Sequence, residues 1–144
     1  MKKFTFPLDR VLAWRRTQAR IEQTKLEKLQ KELRGVEAQR TALAAEELQA
    51  QQAIVRSGAS TGADLAALDL FRASCATQSK SLERNRETQA AKILAQQRVV
   101  ALKERDVKLL EKLREQKLTT WRLENAKEID TQAEESYLSR WSDM

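Results

Sequence analysis

The chain has 144 residues, 33% of them charged, with three glycines, one proline, one cysteine and no histidine. That is too little turn chemistry for a sheet or a globule of many elements, and 5% aromatic content is too low for a broad core. The net charge of +6 is concentrated at the amino end, where residues 1–40 carry eleven basic and five acidic groups. Further on the two signs interleave, as in Lys103-Glu104-Arg105-Asp106, which describes a solvated helix surface and argues against a nucleic-acid grip.

The opening Met1-Lys2-Lys3-Phe4-Thr5-Phe6-Pro7 carries charge, but Arg10, Arg15 and Arg16 break the apolar run that a secretory leader would need next, so no leader is expected. No stretch reaches the roughly 18 apolar residues of a membrane span, and a cytoplasmic protein without a transmembrane segment is expected. Helix 1 is predicted over about residues 8–56. Stepping alternately four and three residues from Leu8 gives 8, 12, 15, 19, 22, 26, 29, 33, 36, 40, 43, 47, 50 and 54. Ten of these fourteen positions are apolar, where composition alone would place about six. Arg15, Glu22, Arg40 and Glu47 interrupt this seam. Pro7 suits a first helical turn, and Gly35 costs a long helix about 1 kcal/mol relative to Ala.

The segment Ser57-Gly58-Ala59-Ser60-Thr61-Gly62-Ala63 is the one convincing loop, with Asp64 as a plausible cap for a second helix. Helix 2 is predicted over about 64–140. Its seam runs less regularly through Leu68, Phe71, Cys75, Leu82, Ile93, Val99, Val100, Leu102, Val107, Leu110, Leu113 and Leu118. Cys75, the lone cysteine, is expected to be buried in that seam and not to be a reactive thiol. Residues 83–92 contain nothing apolar larger than Ala, so helix 2 should be weakest there or packed through a polar layer.

Two long amphipathic helices joined by a short loop imply an all-α fold, an antiparallel two-helix coiled-coil hairpin with a longer C-terminal helix, forming one rod over 1–144. With the turn near residue 60, position i faces about 120 − i, and helix 2 overhangs helix 1 beyond Leu8. The overhang holds Leu118, Trp121, Leu123, Ile129, Tyr137, Leu138 and Trp141, and it predicts a protein partner. The aromatic and basic segment from Phe4 to Arg16 is open to a membrane-surface or calmodulin-like reading, beside packing on helix 2 or on a protein.

With no histidine there is no Ser-His-Asp or Cys-His relay and no His-ligated metal, and neither familiar glycine-rich nucleotide loop occurs. Neighbouring carboxylates such as Glu46-Glu47 diverge by about 100° on a helix. No enzyme activity and no cofactor are expected.

The opening Phe4-x-Phe6-x-Leu8-x-x-Val11-Leu12, the Leu65-x-x-Leu68-x-x-Phe71 after the loop, and Glu111-Lys112-Leu113-Arg114-Glu115-Gln116 leading to Trp121-Arg122 resemble the FliJ family over nearly the whole chain. These are soluble stalk-like components of the bacterial flagellar type III export apparatus. The resemblance implies a rod similar to the central stalk of rotary ATPases. Its partners would be the hexameric export ATPase, the membrane-embedded export gate and export chaperones, and it would sit in the cytoplasm at the inner face of the membrane. The ATPase contact would fall on Phe4, Phe6, Leu8, Arg10, Trp121, Leu123, Ile129, Tyr137 and Trp141. The gate contact would fall on Gln39, Leu43, Glu46 and Ala50 of helix 1 and Phe71, Cys75, Gln78 and Leu82 of helix 2. Several family members carry tyrosines on the helix 1 face where this chain has Glu46 and Ala50. The stalk of a virulence-type injectisome, or a coiled-coil adaptor at a membrane or nucleic-acid surface, are the alternative readings.

Overall fold

The computed structural model describes residues 3–58 and 61–143; Met1, Lys2, Met144 and the expected loop residues Ala59 and Ser60 lie outside the described residues. Among the described residues there are two α-helices and no strand: α1, Asp9–Ser57, and α2, Gly62–Ser142. The two long helices pack against each other. Neither contains a window apolar enough to cross a membrane.

Three of the four helix ends have a local chemical cause. Before α1, the Asp9 amide donates to the Phe6 carbonyl at 3.1 Å, closing a turn with Pro7 at its second position, where a fixed φ suits the chain reversal. The predicted start at Leu8 is one residue early, because Leu8 supplies the first accepting carbonyl, to the Leu12 amide at 2.8 Å. At the other end, Gly58 follows Ser57 with φ +62, the left-handed conformation that ends a helix and that only glycine adopts without strain. The start of α2 corrects the expected cap. Thr61 caps α2: its Oγ1 accepts from the Asp64 amide at 3.2 Å, and Asp64 Oδ2 accepts from the Thr61 amide at 3.3 Å. This is a reciprocal capping box, with Asp64 as its third-position partner.

The chain divides into two compact units, one of residues 22–100 and one of residues 1–21 with 101–144. In the first, Leu26, Ile93 and Val100 form a buried cluster with Leu29 and Leu33 packed on it. Cys75 is buried farther along. In the second, Phe6 and Leu12 are the buried residues, and Leu12 at 2% exposure is the most enclosed large side chain among those described.

Of the fourteen seam positions read from the sequence, all but Leu8 are buried or half-buried in α1. The four polar interruptions each meet a partner on α2. In the unit of residues 22–100, the Gln96 side-chain amide donates to the Glu22 carboxylate at 2.6 Å and to its carbonyl at 2.9 Å, Arg40 lies 3.0 Å from Glu83, and Glu47 lies 3.8 Å from Arg72. In the other unit Arg15 lies 3.5 Å from Asp106. Each half-exposed ion pair is worth at most about 1 kcal/mol, but an unpaired charge at a seam position would cost more. The α2 seam departs from expectation at Phe71, which is 37% exposed, and at Leu102, which is exposed because the contact face there includes Gln96 and Lys103 beside the expected Val99 and Val100.

Candidate functional site

Within the unit formed by residues 1–21 and 101–144, the non-helical segment before α1 lies against α2. The Phe4 and Trp121 rings are 5.9 Å apart between centroids and tilted by 57°. The Arg114 guanidinium sits 5.5 Å from the Phe4 ring and donates to Asp9 at 3.3 Å. Arg114 thus couples the aromatic pair to the first turn of α1 through one cation–π contact and one charged hydrogen bond. A second ion pair, Arg16 to Glu111 at 3.1 Å, holds the same stretch.

This geometry corrects the expected overhang. Helical register puts Trp121 beyond the reach of helix 1, yet the residues ahead of that helix cover it, and it is half-buried. Phe6 is buried at 5% exposure, so it braces this end from inside and drops out of the predicted contact surface. Leu8 and Arg10 are exposed, and Phe4 is half-buried. The spacing of Phe4 and Trp121 in sequence carries no signal that they meet, and neither does that of Arg114 and Asp9, which join them.

Beyond Asn125 every described residue of α2 is exposed. Ile129 is 42% exposed, and Tyr137, Leu138 and Trp141 exceed 60%; Leu123, just before, is at 62%. Tyr137 and Trp141 lie one turn apart with ring centroids at 6.3 Å. Leu123, Ala133, Tyr137 and Trp141 fall within one sector of the helix at about 100° per residue, and that sector is turned well away from the side that packs on α1. Residues 121–144 carry six acidic and three basic groups, whereas residues 1–20 carry six basic and one acidic. The result is an apolar stripe in an acidic frame.

In the unit of residues 22–100, five of the residues expected at a gate contact, Gln39, Leu43, Glu46, Gln78 and Leu82, line one open groove. Ala50 is half-buried and Phe71 is exposed outside it. Cys75 faces a different groove with Arg40, Glu47 and Ser79. Burial pushes its thiol above the ordinary range, and the Glu47 and Glu46 carboxylates add to that. Among the described residues no cluster of His, Cys, Asp or Glu suits a metal ion. Comparison with protein-family profiles, with curated proteins and with solved structures finds no match to this chain.

Proposed function

We propose that the chain is a non-enzymatic adaptor of the flagellar type III export apparatus. In this reading its two helices form an antiparallel coiled-coil hairpin, it binds the hexameric export ATPase through the carboxyl-terminal part of α2, and it links that ATPase to the export gate and to export chaperones. The observation that carries the reading is the run of exposed side chains Leu123, Ile129, Tyr137, Leu138 and Trp141, of which Leu123, Tyr137 and Trp141 share one face. Large aromatic and aliphatic side chains in series on a solvent-facing helix are the composition of an interface core, and aromatic anchors dominate such interfaces. The antiparallel pairing is supported by the contacts within each unit, where partners on α2 fall in number as those on α1 rise: Glu32 with Gln89, Arg40 with Glu83 and Glu47 with Arg72 in one, Asp9 with Arg114 and Arg15 with Asp106 in the other.

The opposite charges of residues 1–20 and 121–144 would orient the encounter more than tighten it. The test is a chain ending at Ala126, which keeps Trp121 and the Phe4 contact but loses most of the stripe. The full chain should co-elute with the export ATPase of the same organism and raise its hydrolysis rate. The shortened chain should do neither, at an unchanged unfolding temperature. Equal stimulation by both chains would remove the proposed contact, and preference for an injectisome ATPase would move the adaptor to that system.

A further inference from the structure

Between the Leu26, Ile93 and Val100 cluster and buried Cys75, the two helices meet through polar groups and the half-buried Val36, Leu43 and Leu82, with no fully buried apolar side chain among the described residues. Arg40 lies 3.0 Å from Glu83, Arg86 lies 3.8 Å from Glu37, and the Gln89 amide donates to Glu32 at 3.4 Å. Two enclosed oxygens in this layer are poorly satisfied. Gln89 Oε1 has no hydrogen-bond partner among the described residues, and Glu83 Oε2 has the Arg40 charge nearby but no aligned donor. On α1 the layer includes Gly35, where an added Cβ would meet nothing within 4 Å. No close approach demands a glycine there, so its effect is only to loosen the helix.

We propose that this layer is a built-in breaking point: the part of the unit between it and the inter-helix loop opens cooperatively while the Leu26, Ile93 and Val100 cluster stays closed. Three observations converge on it. The layer lacks the fully buried side chains that hold the cluster, its ion pairs are exposed enough to be weak, and Gly35 removes helix propensity within it. Beyond the layer Cys75 is the one fully buried residue of α2 among those described, and helices that lose their packing face are marginal in water. Opening therefore exposes Leu43, Cys75 and Leu82 together and withdraws the groove that Gln39, Leu43 and Gln78 line, so any partner of that groove binds only the closed form.

Cys75 reports the opening. The full chain is mixed with a thiol reagent across urea concentrations well below the unfolding transition, and the labelling rate is followed alongside amide exchange of residues 41–57 and 62–82. The expected result is labelling that depends on urea much less steeply than global unfolding does, with exchange in those two segments faster than at Leu26–Leu33 and Ile93–Val100. Gly35→Ala touches no neighbour, and it should slow labelling about fivefold. The pair Arg40→Leu with Glu83→Leu, which replaces the shortest ion pair of the layer with apolar side chains, should slow it at least tenfold and weaken its dependence on salt. Labelling with the urea dependence of global unfolding would overturn the proposal. So would labelling rates unchanged in both variants, which would mean that reagent reaches the thiol without separation of the layer.

Discussion

Thr61 and Asp64 hold the first turn of α2 by exchanging hydrogen bonds, and little else in their surroundings supports that turn, since residues 61–67 are all exposed. Thr61→Ala should cost about 1 kcal/mol, seen as faster amide exchange in residues 62–66 with a small change in the global unfolding midpoint. Cys75 is a residue whose protonation state matters to the fold. Its thiol is raised by burial and by Glu47 and Glu46, so the folded chain favours the neutral form. That contribution is complete below the ordinary thiol range and is lost as pH rises through the raised value. The wild-type unfolding temperature should therefore fall more steeply on the alkaline side than that of Cys75→Ala, and equal slopes would mean that the thiol is not desolvated in solution.

At the scale of the helices, the seam of α1 is legible in the sequence because a four-three step finds both the apolar positions and the polar ones that the partner helix satisfies. Arg15, Glu22, Arg40 and Glu47 read as interruptions in one dimension; across the interface each has a counterpart. The α2 seam is less legible because apolar residues there are not confined to the contact face. Leu102 is large, apolar and 58% exposed, while Gln96 is half-buried. Composition cannot rank those two; only the partner's position can. A paired test separates them: Leu26→Asp should unfold the unit of residues 22–100 or cost upwards of about 3 kcal/mol, whereas Leu102→Asp should stay within about 0.5 kcal/mol by urea denaturation. The candidate site is legible in its far part, Ile129 to Trp141, where no helix 1 residue remains to pair. Periodicity misplaces Trp121 because it has no term for a non-helical segment such as Phe4 to Phe6 continuing along a partner helix.

For the molecule as a whole, Gly58 has a consequence that reaches the α2 carboxyl end. Every ion pair across the seam joins α1 to α2, and none requires that both belong to one chain, so a second copy can satisfy the same partners. What favours pairing within the chain is the short connection, and its first residue holds φ +62. Placing a side chain there costs about 1–2 kcal/mol in the turned form and nothing in a continuous helix. Gly58→Ala should therefore raise the share of arm-exchanged pairs at high protein concentration, visible as doubled mass in light scattering at unchanged helicity. Such a pair would display two exposed stripes instead of one, and two tethered binding elements engage clustered targets with an avidity that neither has alone. On that expectation one glycine would set the valency of the particle.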